Sequence, residues 1–349
     1  MSIAAFDHPL LSGLLGDDEV GALLSVEADI RAMLAFEAAL VRAQAGRGLV
    51  PLVAARRIGE ICGTFNPDIV RLKQATATDG VVVPELVRQL REAVGGEAAA
   101  HVHVGATSQD VIDSSLVFRL KAAFSIFVNR LDGLVRKLHV LDEAYGHRAF
   151  MGRTRMQAAI PMTVSDRLHS WRTPFAHARD RLACQVFPLQ FGGAAGTLEK
   201  LGTEAEAVRA LIAQEMGLTD TLQWQSQRGY IADIGHLLSL VTGAAGKMGQ
   251  DIALLAQGGD EIALSGGGTS SAMPHKQNPI AAETLVALAR FNAVQVSALH
   301  QSLVHEQERS GAAWTLEWLV LPQIVMATAA SLRLSLQTLD SIAHLGAKT

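Results

Sequence analysis

The chain has 349 residues, of which 49% are hydrophobic and 18% charged, and its formal net charge is −4. This composition excludes a disordered chain and provides no basic surface of the kind that attracts nucleic acid. Its two cysteines, Cys62 and Cys184, lie far apart in the sequence, so we expect two reduced thiols and no disulfide framework.

The N-terminal twenty residues have no positively charged start before their apolar residues, so they do not resemble a secretory signal. No stretch approaches the ~20 uninterrupted apolar residues that span a bilayer. We therefore expect a cytoplasmic protein that contacts neither membrane nor nucleic acid.

Five segments repeat apolar residues at spacings of three and four, which predicts long amphipathic helices. The first covers 26–50 and is stopped by Gly46 and Pro51. The second runs from Ser114 to about Tyr145, far beyond the mean helix of ~11–12 residues. The other three cover 226–257, 281–307 and 321–345.

Helices this long and apolar are hard to bury within one monomer, so we prefer an all-α bundle shared between identical subunits over a monomeric bundle. Small residues such as Gly243, Gly246 and Gly249 indicate close approach of neighbouring helices. Strand patterns are limited to short possibilities at 81–86 and 184–191. We divide the chain into an N-terminal helical domain, 1–105, and a central bundle domain, 106–349.

Polar, glycine-rich segments separate the helices, and binding residues favour such positions at the ends of rigid elements. They cover 101–115, 150–163, 189–202 and 266–283. Thr107, Ser108 and Asp110 can also be explained as the cap of a helix that begins near Asp110. His101 and His103 have no companion ligands at metal-binding spacing, so no metal site is predicted.

The segment GGGTSSAMPHKQNPIAAE, 266–283, is harder to explain by structure alone. Its glycines allow positive φ and can present N–H groups to an anion. Lys276 adds a positive charge, and Asn278 adds a donor and an acceptor. Ser270 or Ser271, surrounded by such donors, could act as a base, although a surface loop without a catalytic role is the alternative.

This segment resembles the signature of the fumarase/aspartase superfamily, Gly-Ser-Ser-x-Met-Pro-x-Lys-x-Asn followed by Glu. Thr269 stands where the family has Gly. The matching residues are Ser270, Ser271, Met273, Pro274, Lys276, Asn278 and Glu283. HVHVGATSQD and MGRTRMQAAIP resemble the first two conserved blocks, in order. The resemblance implies a fumarase/aspartase-like homotetramer whose active sites each combine blocks from three subunits, with 266–283 as a mobile loop that closes over the substrate.

Finer features, including LQFGGAAGTLEKLG and HEQERSGAAWTLEW, are most similar to the cycloisomerases that lactonize 3-carboxy-cis,cis-muconate in the β-ketoadipate pathway of aromatic catabolism. Adenylosuccinate lyases are next. The resemblance also implies a small C-terminal domain, of which this chain, ending at Thr349, contains little. A non-catalytic homologue is a third possibility, which the matched signature residues disfavour.

One departure separates the first two possibilities. Lyases of this superfamily commonly carry Gly-Arg-Thr-His in the second block, and this chain carries Arg155 in place of that histidine. An arginine stays charged and cannot serve as the acid for a leaving group. A departing carboxylate, with a pKa near roughly 4, needs no acid, so the change suits a cycloisomerase better than a β-elimination lyase.

We therefore predict a small polycarboxylate substrate and no metal or cofactor. The residues predicted to bind the substrate are Thr107, Ser108, Arg153, Arg155, Gln157, Lys276 and Asn278, with a helix-start hydrogen bond as the alternative role of Gln157. Ser270 or Ser271 is predicted to exchange the proton at carbon, with His103 as the alternative because its ordinary pKa lies near ~6.5. Arg228 also resembles a position near the site, but an ion pair between helices explains it equally well.

Overall fold

The computed structural model describes residues 4–269, 273 and 277–347. Within these ranges the chain forms twelve α-helices, which confirms the all-α prediction. The helices are α1 Ser12–Leu15, α2 Asp18–Leu23, α3 Val26–Gly46, α4 Leu52–Thr64, α5 Ile69–Asp79, α6 Val83–Val94, α7 Ser108–Tyr145, α8 Val164–Ala183, α9 Ala205–Met216, α10 Gly229–Gly258, α11 Ile280–Gln301 and α12 Gly311–Asp340. Two 3₁₀ helices cover Glu97–His101 and Glu199–Glu204.

Three antiparallel two-stranded sheets join the helices in the described residues. They pair β1 (Ala149–Thr154) with β2 (Gln157–Thr163), β3 (Ile262–Leu264) with β6 (Ile342–Leu345), and β4 (Gly268–Thr269) with β5 (Gln277–Asn278). The possible strand at 81–86 does not form, because Val83 and Pro84 open α6, where a proline at the helix start loses no hydrogen bond. The segment 184–191 contributes a single bridge between Pro188 and Thr219.

Four of the five predicted long helices are confirmed within a few residues of their limits, except that α11 ends at Gln301 and not near 307. The fifth is wrong at both ends. It begins at Gly311, ten residues earlier than predicted, because the Ser310 hydroxyl caps it by accepting from Ala313 N at 3.2 Å. It ends at Asp340 because the following residues leave the helix to form β6.

Helix α7 is the longest helix among the described residues, with 38 residues. Thr107 and Asp110 form a capping box at its start, so the capping prediction is confirmed. Its buried stripe, including Phe127, Leu131 and Leu134, is fully shielded by the neighbouring helices. At 1.5 Å per residue the helix spans about 55 Å, so its two ends belong to distant parts of the molecule.

Helices α7, α8, α10, α11 and α12 form the bundle, and α3 joins it by packing on α7. Gly246 and Gly249 let α10 and α11 approach closely, as predicted, but the prediction is wrong for Gly243, where a Cβ would meet no atom within 4 Å. A Cβ on Gly246 would lie 2.5 Å from Ala289 Cβ, and one on Gly249 would lie 2.6 Å from the Ala282 carbonyl oxygen. The domain division at 105/106 falls in the turn before α7 and stays a prediction.

Helix α12 has the length and composition of a membrane span, the single such helix among the described residues. However, 67% of its most apolar window is buried inside the protein. That burial is typical of a core helix of the bundle.

Candidate active site

Asp110 organises the first conserved block. Its carboxylate is buried and accepts four N–H groups, from Thr107 at 3.0 Å, Gly192 at 2.8 Å, Gly193 at 3.0 Å and the Gln190 side chain at 3.1 Å. Burial raises the pKa of Asp110 to about 6, while these donors pull it down. The carboxylate therefore fixes the Thr107 segment against the 189–202 loop.

His103 lies near the start of this block and forms a short pair with a residue that the sequence did not single out. Its Nδ1 lies 2.6 Å from Glu37 Oε1, and the Glu37 side chain is only 1% exposed. Burial lowers the pKa of His103, but the charge and hydrogen bond of Glu37 raise this pKa by more than burial lowers it. The pKa of His103 therefore lies above its ordinary value. The one signal in the sequence was a glutamate between Phe36 and Ala38, inside an otherwise apolar stripe of α3.

The backbone around His103 is held from two helices. Gln44 on α3 donates to the Val104 carbonyl at 2.6 Å, and Arg91 on α6 donates to the Val102 carbonyl at 3.0 Å. His103 itself has φ 63°, a left-handed conformation that is uncommon for a residue with a side chain. The surrounding contacts thus impose its position.

The second block forms a β-hairpin, not the loop that we expected at 150–163. Thr154 pairs with Gln157, which leaves Arg155 and Met156 as a two-residue turn with φ 48° and 67°. Such turns usually contain Asn-Gly, because both positions need positive φ. The hairpin was missed because β2 is exposed along most of its length and so lacks apolar alternation.

Arg153 is oriented from outside the hairpin. Its guanidinium forms an ion pair with Glu261 at 2.5 Å, and the other oxygen of Glu261 accepts from the Met151 backbone at 2.6 Å. A cavity of about 570 Å³ opens beside this pair. Its charged lining consists of Arg153, Arg155, Arg167, Lys247, Asp251, Asp260 and Glu261. Four cations against three carboxylates suit an anionic ligand.

Asp251 anchors the far wall of this cavity. It accepts from the Trp171 indole at 2.7 Å and from Arg167 at 3.0 Å, and it pairs with Lys247. The wall is therefore held by hydrogen bonds among α8 and α10.

The third block is partly described. Asn278 in β5 pairs with Gly268 in β4 and lines a second cavity of about 450 Å³ with Gln250, Glu283 and Arg290. Ser270, Ser271 and Lys276 lie outside the described residues. The base of this segment is tied down by β3, which pairs with β6 near the end of the chain.

The first and second blocks do not meet within one chain. Thr107 caps the start of α7, whereas Arg153 follows its other end by eight residues. A helix of about 55 Å less the reach of eight extended residues leaves at least about 25 Å between them. No small substrate bridges that distance, so a single chain cannot complete the predicted site.

A family profile described as "Lyase" matches residues 24–295. The chain belongs to this lyase family. Within the fumarase/aspartase superfamily it is an enzyme similar to cycloisomerases: 3-carboxy-cis,cis-muconate cycloisomerase from Pseudomonas aeruginosa is 37% identical over 92% of this chain and 72% of the relative. Nitrosuccinate lyase from Streptomyces davaonensis is 36% identical over 90% of this chain and 70% of the relative.

Solved structures agree on the lyase family's fold. The crystal structure of the 3-carboxy-cis,cis-muconate lactonizing enzyme from Pseudomonas putida matches with a TM-score of 0.91 at 33% identity. The match covers 96% of this chain and 77% of that one. The long-helix bundle is therefore the family's fold.

Proposed function

We propose that this enzyme interconverts 3-carboxy-cis,cis-muconate and its carboxymuconolactone. The observation that carries the proposal is Arg155 at the hairpin turn, lining the cavity with Arg153 and Lys247. An elimination with a poor leaving group needs an acid at this position, and an arginine cannot supply one. A tricarboxylate whose own carboxylate is the nucleophile or leaving group needs cations there and no acid.

The reaction follows from the charges. In the lactonizing direction a carboxylate oxygen bonds to the β carbon, and the alkene electrons move to the α carbon and its carboxylate. Arginines in the positions of Arg153 and Arg155 stabilise this developing negative charge more strongly than they stabilise the bound substrate. A proton then adds to the α carbon from Ser270, Ser271 or His103, and one proton is consumed per turnover.

We also propose a homotetramer whose active sites combine blocks from different subunits. Support comes from the separation of Thr107 and Arg153 along α7. Large apolar side chains are also exposed on three bundle helices of the single chain. These are Val140 at 62%, Val294 at 71% and Leu319 at 61% exposed. Covering them with further copies would extend the core and bring the separated blocks together.

The proposed substrate places the enzyme in aromatic catabolism through the β-ketoadipate pathway, in the cytoplasm. A β-elimination lyase is the second candidate, favoured by the similarity to nitrosuccinate lyase. Nitrite is itself a stable anion that can leave without an acid. Arg155 therefore argues against amine or alkoxide leaving groups more strongly than against this one.

Ultraviolet absorbance tests the proposal. With purified enzyme, 3-carboxymuconate should lose its conjugated diene absorbance, while nitrosuccinate and adenylosuccinate should yield no fumarate. An Arg155→Lys variant should keep part of the lactonizing activity, and Arg155→Ala should lose at least about tenfold in kcat/KM, because a charge-assisted contact contributes roughly 1.5–3 kcal/mol. Fumarate release with untouched carboxymuconate would refute the assignment.

A further inference from the structure

The Glu37 side chain has a single hydrogen-bond partner among the described residues, which is His103. Its carboxylate lies in the middle of α3 with 1% exposure, and Oε1 contacts His103 Nδ1 at 2.6 Å. The second oxygen, Oε2, is buried and has no hydrogen-bond partner in the described part of the chain. A buried carboxylate is costly, and no arginine or lysine is paired with this one in the described ranges.

The His103 imidazole lies within the predicted substrate-binding block and is not fully buried. His103 lies two residues before Gly105 and four before Thr107, in the block predicted to bind substrate. Its side chain keeps 15% exposure, so the ring is not sealed in the core. With Nδ1 committed to Glu37, the remaining ring nitrogen, Nε2, is the one available for chemistry.

We propose that Glu37 is a positioning residue that keeps His103 doubly protonated, and that His103, through Nε2–H, is the acid that protonates the α carbon during lactone formation. The proposal rests on the proposed function. It assigns to His103 the proton transfer that the sequence left open between His103, Ser270 and Ser271.

The step balances. The carboxylate oxygen forms a bond to the β carbon, and the electron pair of the alkene becomes the carbanion of the α carbon. That pair takes the proton from His103 Nε2, which leaves a neutral imidazole whose Nδ1–H still donates to Glu37. Solvent then returns one proton to Nε2. The reverse reaction uses the neutral imidazole as the base.

The charged groups around His103 define the pH dependence. Glu37 on α3 and Asp110 on α7 favour the cation, and Arg91 on α6 opposes it. Cys62 on α4 faces Glu37, but burial and that carboxylate raise the pKa of its thiol to about 12, so it stays neutral. Because the pKa of His103 is raised, the protonated form persists above pH 6.5 and is lost only as the pH passes the raised value.

Glu37→Gln is the decisive variant, measured as kcat for lactonization across pH. Removing the adjacent charge should move the alkaline loss of activity to lower pH by about one unit or more. At pH values above this shifted alkaline loss, the kcat of the variant should be at least about tenfold lower than that of wild type. At acidic pH its kcat should return toward the wild-type value. Glu85→Gln is the matched control, since Glu85 is equally buried but pairs with Arg71 and Arg88. In this control, the pH at which kcat falls should be the same as in wild type.

A second variant separates positioning from folding. Glu37→Gln combined with His103→Gln should be no slower than His103→Gln alone, because Glu37 acts through the imidazole. An equal loss at every pH, or additive losses in the double variant, would overturn the role of Glu37.

Histidine ring NMR gives a readout that does not need turnover. The His103 signal, assigned by its loss in His103→Gln, should titrate at lower pH in Glu37→Gln than in wild type. Wild-type enzyme that leaves carboxymuconate unchanged would refute the proposed function, and the NMR titration would then still test whether Glu37 raises the pKa of His103. If the enzyme is active but the pH at which kcat falls is the same in Glu37→Gln as in wild type, this inference alone is refuted.

Discussion

Arg228 is fully buried, yet it carries a charge that two carboxylates share. It pairs with Asp113 of α7 at 2.6 Å and with Glu317 of α12 at 2.5 Å, and it lies over the Trp224 ring at 4.6 Å. Burial lowers the pKa of the guanidinium, but these carboxylates raise it by more, so the net pKa is raised. The residue links three helices, so the ion-pair explanation offered by the sequence is confirmed.

Replacing Arg228 should therefore destabilise the fold strongly. Arg228→Met leaves two buried carboxylates without a cation, and breaking such a pair costs about 3–5 kcal/mol. Urea unfolding followed by circular dichroism measures the loss. Arg47→Met removes a comparable but exposed pair with Glu204 and should change stability by less than about 1 kcal/mol. A similar small loss in both variants would contradict the expected difference.

At the scale of elements, the crossing of α10 and α11 depends on absent side chains. Gly246 faces α11, where an added Cβ would overlap Ala289, whereas a Cβ on Gly243, one turn earlier, would meet no atom within 4 Å. Both glycines lower intrinsic helix stability, but only Gly246 is required by the packing of α10 against α11.

Gly246→Leu should force the two helices apart and cost about 3 kcal/mol, the upper range for overpacked cores. Gly243→Ala should instead stabilise α10 by up to about 1 kcal/mol, since alanine is the better helix former. Thermal unfolding of both variants tests the pair of expectations. A tolerated Gly246→Leu would show that the bundle repacks easily at this crossing.

At the scale of the whole molecule, the length of α7 separates residues that the chemistry needs together. If the proposed assembly is correct, His103→Ala and Arg153→Ala each damage a different contribution to one site. Mixed tetramers then contain some sites in which both contributing blocks are intact. Two inactive variants can therefore complement each other.

Unfolding and refolding the two variants together at equal amounts should restore roughly one quarter of wild-type activity, because each site draws its two blocks independently from mixed subunits. Each variant refolded alone provides the baseline. Size-exclusion chromatography with light scattering reports the oligomer. Absence of any recovery in correctly assembled mixtures would place both blocks in one subunit.

The features that the sequence determined by itself are those that depend on neighbouring residues or on a repeating spacing. The apolar spacing located the stripes of α3, α7, α10 and α11, and Thr107 with Asp110 predicted the cap of α7, because caps and stripes depend on residues a few positions apart. The signature at 266–283 led to the superfamily, and Arg155 is the residue on which the proposed lactonizing reaction rests.

Only the tertiary structure decided which distant residues meet. Glu37 lies 66 positions before His103, and Glu261 lies 108 positions after Arg153, so neither pair has a signature in local spacing. The hairpin at Arg155 was hidden because its strand is exposed and unpatterned. The length of α7 shows that the first and second blocks lie far apart in one chain, because a helix fixes a distance whereas a sequence fixes only an order.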